Sequence, residues 1–216
     1  MKKEYAAVPR SMADMQTYGF SWMDFVTAIP APLFVATTYK PDGKSNACLQ
    51  SWACFSGGED GFFAILSSVN KAGHFYRTLK DTGVCVLNFP SEDMYDKCIA
   101  TIRNNQWEAD EIAASGLTAE PAAAVNAPRI QECFLALDCV YEWEREITMG
   151  STHTLLCLRV QTICMEEAHL EETALGRYGE SGYLYNVHYP VNPESYHGKA
   201  HDYLAVLRKI RDMGEY

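Results

Sequence analysis

A chain of 216 residues, 48% hydrophobic and 21% charged, can bury a substantial core, and no Pro/Ser/Gly-rich linker divides it, so a single domain over 1–216 is expected. Its formal net charge of -10 argues against broad binding to nucleic acid or anionic membrane, both of which rest on basic patches, and no apolar run approaches membrane-spanning length. The opening residues, Met1-Lys2-Lys3-Glu4-Tyr5, lead into no apolar segment of a secretion signal, which makes a cytoplasmic protein the expectation.

Residues 1–20 show no clear period, after which Trp22, Phe25, Val26 and Ile29 make a short helical stripe closed by Pro30 and Pro32. The run 33–39 is rich in apolar and β-branched residues and predicts a strand. Turn chemistry at Lys40-Pro41-Asp42-Gly43-Lys44 then predicts that 45–55 returns as its hairpin partner. That returning strand is unusual. Asn46, Cys48, Gln50 and Trp52 fall on one face and Ala47, Leu49, Ser51 and Ala53 on the other, so neither face is uniformly apolar or polar. A half-buried strand normally sorts its faces, and one that offers Asn, Gln, Ser and Trp points to contact with a polar, planar ligand. A barrel strand with a few satisfied polar residues is the competing reading. Gly57-Gly58-Glu59-Asp60-Gly61 is a turn before a strand, whereas a dinucleotide-binding glycine motif must follow one.

The strand Phe62-Phe63-Ala64-Ile65-Leu66 is expected to stop at Ser67-Ser68-Val69-Asn70-Lys71. From there Ala72, Phe75, Tyr76 and Leu79 form the stripe of an amphipathic helix ended by Gly83. Small hydroxyl and amide residues with a lysine, set before a helix N-terminus, suit a phosphate group. Lys71, His74, Arg77 and Lys80 reverse the local sign of charge, although a solvated helix face explains them equally well. A buried strand follows over 84–88, then helical stretches over 94–103 and 108–115 and an extended surface connection over 117–129. Period-two alternation over 130–144 and 154–165 predicts two long strands joined through 147–153, a ribbon able to close a barrel. The acidic stretch 166–172 reads as solvated, Gly176, Gly179 and Gly182 as a loop, and Tyr203, Leu207 and Ile210 as a terminal helix. The eight cysteines contain no C-x-x-C and no zinc spacing, so buried free thiols in a reducing compartment are expected, with no metal site.

With Pro32-Leu33-Phe34-Val35-Ala36-Thr37-Thr38, Asn46-Ala47-Cys48-Leu49-Gln50-Ser51-Trp52, Val84-Cys85-Val86-Leu87-Asn88-Phe89-Pro90, Pro128-Arg129-Ile130-Gln131-Glu132-Cys133 and Gly150-Ser151-Thr152-His153 in this order, the sequence resembles the flavin reductase-like proteins of the FMN-binding split-barrel superfamily, near the flavoredoxin-type branch. The resemblance implies a mainly β, α+β fold: a Greek-key split β-barrel with peripheral helices, its core over about 28–168 and a C-terminal extension over 169–216. It implies a homodimer holding one FMN per protomer near the subunit boundary. Asn46, Ala47, Cys48, Leu49, Gln50, Ser51 and Trp52 would lie along the isoalloxazine, and Ser67, Ser68, Asn70 and Lys71 would cradle the phosphate. Asn88 and His153 would lie near the ring or the approach of the electron donor, with His153 affecting rate. His74 departs from the family, which often has threonine there. The implied activity passes electrons from NAD(P)H through FMN to free flavin, a redox protein or another acceptor. An FMN electron carrier without nicotinamide turnover, and a barrel binding haem or another planar molecule, are the alternatives.

Overall fold

The structure, a computed structural model, describes residues 29–170, 182–187 and 204–206. After β1 (Ala31–Pro32), β2 (Phe34–Tyr39) turns at Gly43, whose φ of +83° suits glycine, into β3 (Ser45–Gln50). The two strands pair antiparallel from Phe34 opposite Gln50 to Tyr39 opposite Ser45, the expected hairpin. The returning strand does not run on to residue 55. It ends at Gln50, and β4 (Ala53–Gly58) begins two residues later against β5 (Gly61–Asn70). A tight corner separates them: Ala53 N donates to Ser51 O at 3.1 Å, and Ser67 N to Trp52 O at 2.7 Å. β3 and β4, neighbours in sequence, therefore lie at opposite edges of one sheet.

β5 also departs from expectation, because it continues past Leu66 to Asn70. It does so through a bulge. Against β10 (His153–Met165), Leu66 stands opposite Leu156 and Val69 opposite Thr154, so Ser67 and Ser68 share Leu155 between them. Ser68 takes the strain with φ +58°. Helix α1 (His74–Thr82) then buries Phe75, Thr78 and Leu79 and ends where Gly83, at φ +72°, donates its N–H to Leu79 O at 2.8 Å.

β6 (Val84–Phe89), α2 (Tyr95–Arg103) and α3 (Glu111–Ala114) follow, α3 being much shorter than the stretch 108–115 and capped where Asp110 accepts from Ala113 N. The 117–129 connection is not featureless, since β7 (Ala119–Pro121) pairs with β8 (Pro128–Ile130). That pairing takes Ile130 out of the long strand, and β9 (Leu135–Arg145) starts later than the alternation predicts. β9 and β10 form the expected antiparallel ribbon.

Seven strands make one sheet in the order β3-β2-β6-β9-β10-β5-β4, an α+β split barrel open along the seam that Ser51 and Trp52 span. Its inner face joins Phe34, Ala36, Leu66, Leu87, Leu137, Leu156 and Leu158 to Phe75 and Leu79 of α1. Burial of each such leucine or phenylalanine contributes about 1.5–3 kcal/mol. The alternate face of β2 and β3 sends Val35 and Ala47 against Cys98, Ile112, Ile130 and Cys133, beneath α2 and α3.

Asn88 belongs to this framework rather than to a ligand site. Fully buried, its amide donates to Val35 O at 2.9 Å and Thr37 Oγ1 at 3.0 Å, and its Oδ1 accepts from Ile130 N at 2.8 Å. The carboxamide fastens β6 to β2 and β8 and has nothing left for a cofactor ring. Asn88→Ala strands two buried backbone groups, so denaturant unfolding is expected to record a loss of about 2–4 kcal/mol.

The chain divides into two compact units, and the one built on Pro32–Leu184 holds the seven-stranded sheet. β1, β11 (Leu184–Asn186) and β12 (Leu204–Val206) make a separate three-stranded sheet. Leu204–Val206 is thus extended where a terminal helix is predicted. Tyr203, Leu207, Ile210, the stripe Trp22, Phe25 and Val26, and Gly176 and Gly179 lie outside the described residues.

Candidate functional site

A cavity of about 290 Å³ is walled on one side by Asn46, Ala47, Cys48, Leu49 and Gln50 of β3. Opposite stand Val69, Asn70, Gly73, His74, Phe75 and Tyr76, where β5 passes into α1, while Thr101, Ile102 and Asn105 come from α2 and its end. The volume is close to the lower end for small-molecule pockets. The mixed character of β3 has a physical cause, because it is an edge strand with different neighbours on its two faces. Ala47 and Leu49 turn to the apolar layer under the helices, and Cys48 packs toward the barrel interior.

Two features of the cavity await a partner. Asn46 is 1% exposed, and among the described residues its Nδ2 has no hydrogen-bond partner. A buried amide donor left so loses about 1–3 kcal/mol, which a ligand acceptor would recover. The second feature is the start of α1, where Gly73 at the N-cap position offers no side-chain cap. The first intrahelical bond runs from Arg77 N to Gly73 O at 3.3 Å, so the amides of His74, Phe75 and Tyr76 precede the ladder at the cavity wall. Glycine suits position 73, since a Cβ there would crowd Asn70 O at 3.2 Å. The arrangement suits an anionic group.

The attraction for anions therefore sits one turn further along than the predicted cradle. Ahead of α1 the loop amides are spent internally: Lys71 N on Thr152 O at 3.0 Å, Ala72 N on Asn70 Oδ1 at 2.9 Å, and Gly73 N on Asn70 O at 3.0 Å. Asn70 lines the cavity, but Ser67, Ser68 and Lys71 are not in its wall. Ser67 Oγ turns to Trp52 O, and Lys71 pairs with Glu146, whose carboxyl this hydrogen bond holds below the usual range. Lys80 similarly lies 3.5 Å from Glu144. Ser51 and Trp52 occupy the seam corner. His153 is exposed, stands opposite Asn70 in register, and has Nδ1 3.0 Å from Thr152 Oγ1.

His74 does line the cavity, and behind it lies a group that sequence reasoning missed. Glu111 is 0% exposed; its Oε1 accepts from Lys40 Nζ at 2.8 Å and lies 3.3 Å from His74 Nδ1, and its Oε2 accepts from Ala47 N at 2.9 Å. Lys40, 3% exposed, also donates to Ala109 O at 2.7 Å and Gln106 O at 3.2 Å. Lys40 reads in sequence as a turn residue, and nothing local ties it to Glu111.

Cys48 shares the cavity as a neutral thiol. Burial pushes it up to about 11, against the opposing hydrogen bond from Gln50 Nε2 at 3.0 Å. At pH 8 about one part in a thousand is thiolate. Iodoacetamide at that pH is expected to label exposed Cys54 first, with Cys48 at least tenfold slower by peptide mass analysis.

The sequence profile of the Flavin reductase like domain matches residues 26–186. A protein described as uncharacterized from Methanothermobacter thermautotrophicus is 32% identical over 123 residues, 55% of this chain and 57% of its own length. This chain thus spans little more than half of that relative. Among solved structures, nitrilotriacetate monooxygenase component B from Bacillus cereus superposes with a TM-score of 0.77 at 19% identity, covering 99% of this chain and 100% of its own. Flavoredoxin of Desulfovibrio vulgaris gives 0.69 at 21% identity with full coverage of both chains. At these identities the structures speak for the fold. No helix among the described residues is long and apolar enough to cross a membrane.

Proposed function

The chain belongs to the flavin reductase like domain family, and we propose that it is an FMN-binding oxidoreductase passing electrons from NAD(P)H through the flavin to free flavin, a redox protein or another acceptor. The observation that carries this reading is one cavity in which the orphaned amide of Asn46 and the uncapped start of α1 stand together. Its donors fit a ligand with a polar planar head and an anionic tail. When bound, the flavin supplies the redox chemistry, and the polypeptide supplies binding, orientation and tuning.

The residues of this chain divide that work. Asn46 donates a hydrogen bond into the cavity, and the amides of His74, Phe75 and Tyr76 hold the anionic end. Cys48, kept as a thiol, leaves no competing nucleophile beside the ring. A homodimer, as the family resemblance implies, belongs to the same proposal, with Ile102, 58% exposed, at the cavity wall. All eight cysteines are free thiols, in keeping with a reducing cytoplasm.

The test is the visible spectrum of freshly purified protein, before and after addition of FMN, followed by anaerobic mixing with NADH and NADPH. Bound flavin that bleaches rapidly with either nucleotide is the expected result. Bound flavin that bleaches with neither makes the protein an electron carrier fed by a redox partner. A preparation that takes up no flavin, or one whose chromophore is haem, overturns the reading.

A further inference from the structure

We propose that Glu111 is a positioning residue that fixes His74 as a hydrogen-bond acceptor in the cavity, and that this acceptor recognises a hydroxyl of the flavin's ribityl chain. The inference rests on the flavin reading above and adds to it two side chains 37 positions apart in sequence.

The direction of the hydrogen bond follows from what surrounds the carboxylate. Glu111 accepts from Lys40 Nζ at 2.8 Å and from Ala47 N at 2.9 Å, so the His74 Nδ1 that faces it at 3.3 Å is the donor. Lys40, buried beside it, already supplies the countercharge of the carboxylate, which leaves the imidazole neutral with that one N–H. The other nitrogen then carries a lone pair. Nε2 has no partner among the described residues, and His74 stands in the cavity wall. The ring plane is fixed a second time, because His74 meets Trp107 edge-on with centroids 4.9 Å apart and planes at 78°. An imidazole so held keeps one nitrogen for the protein and one for a ligand.

A lone pair calls for an O–H or N–H, which a phosphate dianion does not offer. The donors of a flavin are the imide N–H of its ring and the hydroxyls of its ribityl chain. His74 opens α1, whose first-turn amides attract the anionic end, and in FMN the group next to that end is the ribityl chain. Its hydroxyls are therefore the partners for His74. One carboxylate also ties two walls of the cavity together, α1 through His74 and β3 through Ala47, the neighbour of Asn46 with its orphaned donor. A chain of hydroxyls, each both donor and acceptor, answers an acceptor on one wall and a donor on the other. A flavin without that chain leaves His74 unanswered.

The experiment measures dissociation constants at pH 8, by quenching of flavin fluorescence, for FMN, riboflavin and lumiflavin, which carries a methyl group in place of the ribityl chain. The proteins are the parent and His74→Leu, and ¹⁵N spectra are recorded on the histidine-labelled parent and on the double variant Lys40→Met, Glu111→Leu. In the parent, riboflavin is expected to bind at least threefold more tightly than lumiflavin. His74→Leu is expected to lose about tenfold for FMN and riboflavin alike, with lumiflavin unchanged. The His74 spectrum should be that of the Nδ1-protonated tautomer in the parent and should lose that signature in the double variant. Should His74→Leu fail to fold, the spectrum of the parent and its ratio of riboflavin to lumiflavin decide the matter. A loss for FMN alone, an unchanged riboflavin affinity in folded His74→Leu, an Nε2-protonated His74 in the parent, or an Nδ1-protonated signature that survives the loss of Glu111 overturns the proposal. Riboflavin bound by the parent no better than lumiflavin overturns it alone, whereas a parent that binds no flavin, FMN included, overturns the flavin reading as well.

Discussion

Replacing Asn46 with leucine is expected to weaken FMN binding about ten- to a hundredfold while leaving the free protein within about 1 kcal/mol of the parent in stability. The two halves of this result have one origin. In the free protein the amide of Asn46 is buried without an acceptor, so an apolar side chain of similar shape removes an unsatisfied donor. In the proposed complex the same substitution removes the donor assigned to the ligand. A residue kept for packing behaves in the opposite way, losing stability first and binding only as a consequence. Thermal unfolding without ligand and titration with FMN separate the cases, and a large loss of stability with unchanged affinity per folded molecule would sink the assignment.

Replacing Lys40 with methionine is expected to give the largest change in stability, about 3–5 kcal/mol in urea unfolding. Lys40 and Glu111 have side chains 1% and 0% exposed, and removing the ammonium leaves a carboxylate in the interior with no countercharge. The surface pairs, such as Lys44 with Asp42 at 44% and 50% exposure, bear no comparison, since water screens them. The double variant Lys40→Met, Glu111→Leu is expected to recover only part of the loss, because it removes the unpaired charge but strands the buried Ala47 N. It should not recover ligand binding, since Ala47 N and His74 Nδ1 then lack their acceptor. Recovery of both, or a single variant as stable as the parent, would contradict this account.

The elements written in local pattern were legible in the sequence. The turn at Gly43, the stripe of α1 ended by Gly83, and the alternation in β10 all stand as predicted, because each depends on residues within one or two turns of themselves. The mixed composition of Asn46 to Gln50, read as contact with a polar, planar ligand, falls on the strand that walls the cavity. What stayed hidden was long-range. The corner at Ser51-Trp52 breaks no hydrophobic pattern, since Ala53 and Phe55 continue it on a strand at the far edge of the sheet. Lys40 and Glu111 sit 71 positions apart on segments that look solvated, and only the fold desolvates them together. Asn88 and Lys71 were legible as polar residues, but not as saturated ones, because their partners Ile130 and Glu146 come from segments far along the chain.

The bulge at Ser67 and Ser68 gives β5 one residue that its pairing with β10 does not need. Two residues there occupy the space of one against Leu155. Loss of a single serine codon would let β5 pair without interruption, the remaining serine facing Leu155 while Val69 stays opposite Thr154 and Asn70 opposite His153. Only the extra bend and twist of the bulge would go, and with them the angle at which Asn70 leads toward α1. A one-residue deletion at a regularly paired position of β5, by contrast, would slip the register against β10 and turn side chains to the other face.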